Sequence, residues 1–380
     1  MIISEKAQEQ ALFEKLKSVP IKLLIITLLI YGVGVIALFS ASKGNFYPWA
    51  FKHLVNGIIA LPLIFVIILT DIKVWFKTAY ILYGFGLVLL LIVKIFGVEG
   101  GLGAQRWIAI GDFRFQPSEL VKVFIVLSLA RFYHLLHFNN LHKFSSLVFP
   151  LMLIGASAGL VLLQPNLGTA AIISMVGVIV MFITGLSWKK IFSVVAVVLL
   201  ALPILWANMH DYQKKRVETF LNPEQDPLGA GYNIIQSKIA IGAGGLIGKG
   251  LSKGTQSQLN FVPEQQTDFI FSIIAEEFGY IGTLILLLLY ALFFHQARKV
   301  AEACQSNFGK TIAIGMAVIL FVHVFVNIGM VSGILPVVGV PLPFLSYGGS
   351  SLISSMIAVA FIMNAYIHRK TKISVSDDSF

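Results

Sequence analysis

The sequence predicts an all-α integral membrane protein: ten transmembrane helices, with one long extracytoplasmic loop between the seventh and the eighth. Three observations predict it. Hydrophobic residues make up 57% of the 380 and charged residues only 12%, about half the charge of a soluble domain, and the mean hydropathy is +0.86. The apolar residues fall into ten runs of roughly the twenty residues that a bilayer crossing needs. Lys and Arg alternate between abundance and scarcity from one short connection to the next, as orientation in a membrane requires.

The runs are 20–40, 50–70, 77–96, 117–136, 147–164, 166–184, 190–208, 268–294, 311–331 and 344–367. The first follows a charged stretch (Glu5, Lys6, Glu9, Glu14, Lys15, Lys17) and is long enough to span, so it reads as a crossing and not as a cleaved leader. The fifth and sixth are separated only by Gln164-Pro165-Asn166, a tight hairpin. Gly155 and Gly159 in the fifth form a small-xxx-small pattern that predicts close helix packing. With the N-terminus in the cytoplasm, sixteen Lys and Arg of the short connections fall inside and only Lys43, Lys52, Arg106 and Arg114 outside. Both termini are therefore expected in the cytoplasm. Residues 209–267, rich in Gly, Pro, Asn and Gln with six Lys and Arg, form a loop long enough to cross regardless of charge, and loops of this length point to function. The chain divides into one polytopic domain, 1–370, and a polar cytoplasmic tail, 371–380.

The formal charge of +10 does not argue for nucleic acid. The basic residues sit in short clusters between apolar runs, which suits membrane orientation and anionic lipid headgroups. The single cysteine, Cys304, excludes an intrachain disulfide and a cysteine-rich metal site. His134, His137 and His142 have no fixed metal-ligand spacing and read as surface histidines. Gly248-Lys249-Gly250 has the look of a P-loop, yet Ala243 stands where its first glycine belongs, Gly250 replaces the Ser/Thr, and no strand precedes it.

Ionisable residues inside spans are costly and mark candidate sites. Glu119 and Lys122, three apart in the fourth run, share a helix face and can pair, as a packed ion pair or as part of a site. Asp268 heads the eighth run within Pro263-Glu264-Gln265-Gln266-Thr267-Asp268-Phe269, as an acid favoured by the helix dipole or as a functional group. Arg106-Trp107, with Arg114 nearby, precedes the fourth run; arginine suits bidentate phosphate binding, while tryptophan is common at the interface. Glu276 and Glu277 lie deeper in the eighth run, with a structural or a functional role.

At the level of motifs the chain resembles the SEDS family (shape, elongation, division, sporulation) of bacterial cell-wall polymerases, in its RodA-type, elongation branch. The resemblance covers all ten runs. It is carried by Gly103-Ala104-Gln105-Arg106-Trp107-Ile108, Phe115-Gln116-Pro117-Ser118-Glu119-Leu120-Val121-Lys122, Arg216-Val217 through Phe220-Leu221-Asn222-Pro223, Gly231-Tyr232-Asn233 to Gln236-Ser237, Gly254-Thr255-Gln256-Ser257-Gln258, Pro263 to Phe271 and Leu345-Ser346-Tyr347-Gly348-Gly349-Ser350-Ser351. Gly333 to Pro341 and Gln258-Leu259-Asn260-Phe261 look like the elongation branch and not the division branch. One departure stands in the hairpin, where Asn166 replaces the family's usual Asp and leaves only a hydrogen-bonding role.

The resemblance implies a peptidoglycan glycosyltransferase in the bacterial inner membrane, polymerising lipid II by inverting transfer with release of undecaprenyl pyrophosphate. It implies Asp268 as the catalytic base and Arg106, Glu119 and Lys122 as substrate-binding residues at the outer surface. It implies a class B penicillin-binding protein as partner, with the eighth and ninth spans as the expected contact, and leaves a divalent cation (Mg or Mn) as the one open cofactor. Two other classes stay in view: a lipid II flippase, and a non-catalytic scaffold for a transpeptidase. A flippase needs polar residues along both halves of a pathway, whereas Asp268 sits at one boundary, which favours the enzyme.

Overall fold

The computed structural model describes residues 14–374 except 16, 100–104, 112, 137–142, 186–188, 226–229 and most of 191–210. Most of the seventh expected crossing (190–208), His137, His142, the Gly103-Ala104 pair and tail residues 375–380 lie outside the described residues. The described helices are α1 (Ile21–Ala41), α2 (Trp49–Leu69), α3 (Ile72–Phe96), α4 (Pro117–Leu135), α5 (Ser145–Leu162), α6 (Leu167–Ile183), α7 (Asp211–Leu221), α8 (Ala230–Ala243), α9 (Ile270–Ala303), α10 (Asn307–Val331) and α11 (Gly349–Ile367). Seven of them, α1, α2, α3, α5, α9, α10 and α11, are long and apolar enough to cross a membrane. The helix α6 is apolar but 17 residues long, and α4 carries Glu119, Lys122 and Arg131 in its 19.

Local chemistry sets several of the helix starts. Asp71 caps α3 by accepting from Lys73 N at 2.8 Å, and Ser306 caps α10 by accepting from Gly309 N at 3.1 Å. Asn166 caps α6 by accepting from Thr169 N at 3.3 Å. An Asn caps about as well as an Asp, so the departure at this position keeps the hydrogen bond and drops only the charge. Pro117 opens α4 at a position where its missing N–H costs nothing.

Burial is uneven. The helices α10 and α11 are enclosed along most of their length, whereas α1, α2, α3 and α9 turn apolar side chains outward, as a bundle with two central helices and a lipid-facing ring must.

Four features depart from the sequence reading. The bundle is all-helical as expected, but the connection before α4 adds strands: β1 (Val98–Glu99), β2 (Gln105–Ile110) and β3 (Phe113–Phe115) form a small antiparallel sheet in the order β1-β2-β3, pairing Ala109 with Arg114 across its turn. The long connection 209–267 is not one loop, since it contains α7 and α8. The tenth expected span (344–367) is helical only from Gly349, the start of α11, because residues 340–348 are non-helical, with 342–346 buried. Gly155 and Gly159 do not support close packing, because a methyl added at either would meet open space.

The non-helical stretch survives at depth because spans supply its hydrogen bonds. Asn327 donates to the Val340 carbonyl at 2.7 Å, Tyr290 to that of Pro343 at 2.6 Å, and His53 to that of Phe344 at 3.1 Å. Irregular backbone inside a membrane is tolerated only when buried in protein and satisfied in this way.

The helix α9 runs 34 residues, about 50 Å against a hydrocarbon core of about 30 Å, and it is broken at Gly279 (φ 64°, ψ −163°). The glycine-rich segment after α8 fits into the break. Lys249 N and Gly250 N donate to the carbonyls of Glu276 and Glu277 at 3.0 and 2.9 Å, and Tyr280 N and Ile281 N donate back to Gly245 and Leu246 at 2.9 and 3.1 Å. A methyl on Gly248 would lie 2.1 Å from the Glu277 carbonyl oxygen. The glycines that resemble a P-loop therefore serve backbone-to-backbone docking.

Candidate active site

Glu119 and Lys122 lie in the first turns of α4 and pair at 2.7 Å. The ammonium of Lys122 also donates to His323 Nε2 of α10 at 2.6 Å. All three are enclosed, with Glu119 6%, Lys122 1% and His323 3% exposed. A bond from an ammonium to Nε2 fixes the imidazole as the neutral tautomer that carries its proton on Nδ1. Because Lys122 is fully enclosed, its charge bears on its surroundings as a field and not through an open contact.

Asp268 is half-buried in the turn that precedes α9, one residue before the cap position Phe269, which makes no side-chain cap bond. Its backbone carbonyl accepts from Asn327 Nδ2 at 2.8 Å. Its Oδ2 faces Gly339, where an added methyl would stand 3.3 Å away. Asn327 lies one helical turn beyond His323 on α10, so the two project from one face. A single face of α10 thus holds Lys122 at one level and the Asp268 turn at the next.

The flanking motifs converge on the same end. Tyr347 N donates to the Gln266 carbonyl at 2.8 Å, and Ser350 Oγ accepts from Gln116 N at 3.0 Å. Ser354 Oγ donates to the Glu119 carbonyl at 3.0 Å. The Ser-Tyr-Gly-Gly-Ser-Ser run therefore ties the Asp268 turn to the head of α4. Arg106, on β2, reaches the Pro165 carbonyl at 3.5 Å. Three residues on, α6 presses so closely on the Val338 carbonyl that a methyl on Gly168 would sit 2.7 Å from it. Arg106, the hairpin, Gly339 and Asp268 are thus successive neighbours, while Arg114 is exposed on β3.

Glu276 belongs to a different arrangement. It is fully buried; its carboxylate pairs with Lys249 at 2.8 Å and accepts from Gln256 N, Ser257 N and Thr255 Oγ1 at 2.9, 3.1 and 3.2 Å. This clamps the Gly254–Gln258 motif onto α9, which is a structural role. Glu277 accepts from Ser40 Oγ of α1. His134 accepts from Phe308 N at 3.2 Å and contacts the Ile373 carbonyl at 3.2 Å. No cluster of three metal-ligating side chains occurs among the described residues. The residues missed from sequence are His323 and Asn327. Their signal was two polar residues at i and i+4 inside the apolar run 311–331, which membrane energetics mark as paired.

Residues 21–371 match the FtsW/RodA/SpoVE family, described as cell cycle proteins. The chain belongs to that family. The chain is 46% identical over 372 residues to "Peptidoglycan glycosyltransferase MrdB" of Escherichia coli K12, covering 97% of this chain and 98% of that one. It is 35% identical over 355 residues to "Stage V sporulation protein E" of Bacillus subtilis, covering 90% and 95%. Among solved structures it is similar to a chain described under "Structural coordination of polymerization and crosslinking by a peptidoglycan synthase complex" (TM-score 0.82, 31% identity, 93% of this chain and 99% of that one). It is also similar to the Thermus thermophilus rod shape determining protein RodA (TM-score 0.69, 28% identity, 92% and 97%). The FtsW/RodA/SpoVE assignment accounts for the motif resemblance and for the bundle.

Proposed function

We propose that this protein is a peptidoglycan glycosyltransferase of cell elongation that polymerises lipid II at the outer face of the inner membrane. The observation that carries this reading is the face of α10 on which His323 holds Lys122 and Asn327 holds the Asp268 turn. Two motifs far apart in the chain are brought to one end of the bundle. The glycosyltransferase named among the relatives, at 46% identity over nearly the whole chain, supports the same conclusion.

In the reaction the acceptor sugar's 4-hydroxyl attacks the donor's anomeric carbon. The bond from that carbon to the pyrophosphate oxygen breaks, its electron pair leaves with undecaprenyl pyrophosphate, and configuration inverts. Asp268 takes the hydroxyl proton as general base. Arg106 offsets charge on the departing pyrophosphate, and the Glu119–Lys122 pair sets the field beneath it. A Mg or Mn ion would draw its oxygens chiefly from the pyrophosphate, with half-buried Asp268 better placed to join it than Glu119, which is enclosed and committed to Lys122. Such an ion would supply further charge neutralisation.

In this reading the chain crosses ten times, with both termini in the cytoplasm and 209–267 outside, as one membrane domain (1–370) with a polar tail (371–380). The partner is a class B penicillin-binding protein. A groove of about 330 Å³ between α9 and α10, lined by Phe294, Phe321 and Phe325, has the apolar character that a single partner helix requires, and it lies on the two spans expected to meet one.

The test is polymerisation of labelled lipid II by purified protein in detergent, with glycan strands read on a gel. Product formed without a membrane gradient supports the enzyme and cannot come from a flippase or a scaffold. Asp268→Asn should lose 10²–10⁴-fold (about that range for general-base catalysis) with unchanged thermal stability and lipid II binding. Near-wild-type product from Asp268→Asn would remove Asp268 as the base.

A further inference from the structure

The end of the bundle opposite Asp268 carries a second concavity that the polymerase reading does not use. A cavity of about 430 Å³ lies between the start of α1, the last turns of α9 and the end of α11. Lys22 enters from α1 and Lys299 from α9, while Gln296 and Tyr366 add an amide and a phenol. Among the described residues no carboxylate lines it. Beside Lys299, Arg298 is already committed to Glu302 at 3.2 Å. Tyr366 is held from behind by the Arg369 guanidinium, 4.3 Å from its ring centre.

The cavity continues into the membrane-facing surface. Ile21, Ile25 and Leu28 of α1 are 63%, 51% and 57% exposed, at the i, i+4, i+7 spacing of one helix face. On α9, Leu288 and Leu292 are 57% and 40% exposed and lie one and two turns before Gln296 on the same face. Two apolar tracks therefore lead into a basic, hydrogen-bonding pocket. That is the shape of a headgroup on acyl chains: a free anion has no use for the tracks, and an apolar partner helix has none for the lysines.

We propose that this cavity binds one anionic glycerophospholipid, its phosphate between Lys22 and Lys299 and its chains along α1 and α9. Basic pockets between helices at the cytoplasmic face are suited to such headgroups, and the proposed topology puts this end there. Occupancy would splint α1 against the last turns of α9. The binding claim does not depend on the polymerase assignment.

The test uses full-length protein in a neutral detergent, titrated with phosphatidylglycerol, with phosphatidylcholine of the same chains, and with inorganic phosphate. Native mass spectrometry and thermal melting are the readouts. The expected result is a saturable adduct with phosphatidylglycerol and a raised Tm, with neither from phosphatidylcholine or phosphate. Lys22→Gln/Lys299→Gln should weaken phosphatidylglycerol about thirtyfold, the combined attraction of two such charges. Lys73→Gln/Lys77→Gln, which removes basic charge away from the cavity, should leave it unchanged. Equal binding of phosphatidylcholine, equal loss in the Lys73/Lys77 variant, or an unchanged Lys22/Lys299 variant would each overturn the site. Competition by inorganic phosphate would reduce it to an anion patch, which also refutes the proposal. Lys22 and Lys299 are exposed and Lys73 and Lys77 half-buried, so the melting temperature of each double variant without lipid is compared with wild type, and an unchanged value shows that folding is intact.

Discussion

Among the described residues, two Glu–Lys pairs stand at nearly the same distance and differ in the exposure of the lysine and in what surrounds the acid. Glu276 meets Lys249 at 2.8 Å, with the lysine 28% exposed, and is surrounded by backbone and hydroxyl donors. Glu119 meets Lys122 at 2.7 Å with both enclosed, and among the described residues the network continues to His323. A carboxylate with several neutral donors does not need its lysine, because the donors already stabilise the charge. A carboxylate whose charge is balanced by one enclosed ammonium depends on it. The first pair is a clamp; the second is a charge arrangement whose cost in the bundle makes sense as part of a site.

The widest separation should appear on removing the lysines. Lys122→Met strands a buried carboxylate and should cost about 3–5 kcal/mol along with all detectable glycan synthesis. Lys249→Met should cost under about 1 kcal/mol, as expected for a partly exposed partner, and leave synthesis near wild type. Melting in detergent and the lipid II assay give both numbers. Glu119→Gln/Lys122→Met should regain stability yet remain inactive. If that double variant polymerises normally, the pair is packing and nothing more.

The acids should reverse the order of stability loss relative to their lysines. Glu276→Ala leaves Gln256 N and Ser257 N without an acceptor, which should cost about 3 kcal/mol. Limited proteolysis should then cut first within 249–258. A variant that melts like wild type would mean that the clamp is not what holds the motif on α9.

A smaller effect should separate the two roles of His323. His323→Gln retains an acceptor for Lys122 and should keep synthesis within about threefold. His323→Leu removes a hydrogen bond to a charged group, worth about 2 kcal/mol, and should lower synthesis roughly tenfold. Equal loss in both variants would point to ring packing instead of the hydrogen bond.

The seven long apolar helices were legible because each is an apolar run of sufficient length, and Glu119, Lys122 and Asp268 stood out because charge in such runs is rare. What the sequence hid were features set by contacts between distant segments. Phe344-Leu345-Ser346 reads as the start of a helix; only the donors from His53, Tyr290 and Asn327 make its irregular path affordable. Pro341, Pro343 and the Gly348-Gly349 pair were the local signs that a helix could not begin sooner. The hairpin at 105–115 offered too few alternating residues to stand out beside the long runs. Gly279 is an ordinary-looking glycine until Gly248 is placed against it. Glu276 could not be told from Glu119 by sequence, since both are acids in apolar helices and only their neighbours differ.

The least visible expected effect concerns Cys304. It is 3% exposed, its thiol donates to the carbonyls of Val300 and Ala365 at 3.2 and 3.3 Å, and burial pushes it up to about 11. A thiolate reagent at neutral pH should therefore leave the native chain unlabelled. On that silent background Lys253→Cys should react with an impermeant reagent in spheroplasts, and Ser145→Cys only after lysis. The reverse pattern would invert the topology and put the Glu119 and Glu276 arrangements on the cytoplasmic side.

The break at Gly279 makes α9 two bodies joined at a hinge. The upper body, which follows directly on Asp268, is fastened to the 245–250 segment by main-chain bonds and by the Glu276–Lys249 pair, and neither uses the side chains of Leu246 and Ile247. The outward side chains of that segment, Leu246 and Ile247 at 70% and 81% exposed, are therefore free to change. Their replacement changes the apolar surface beside the break without shifting the carboxylate one segment away.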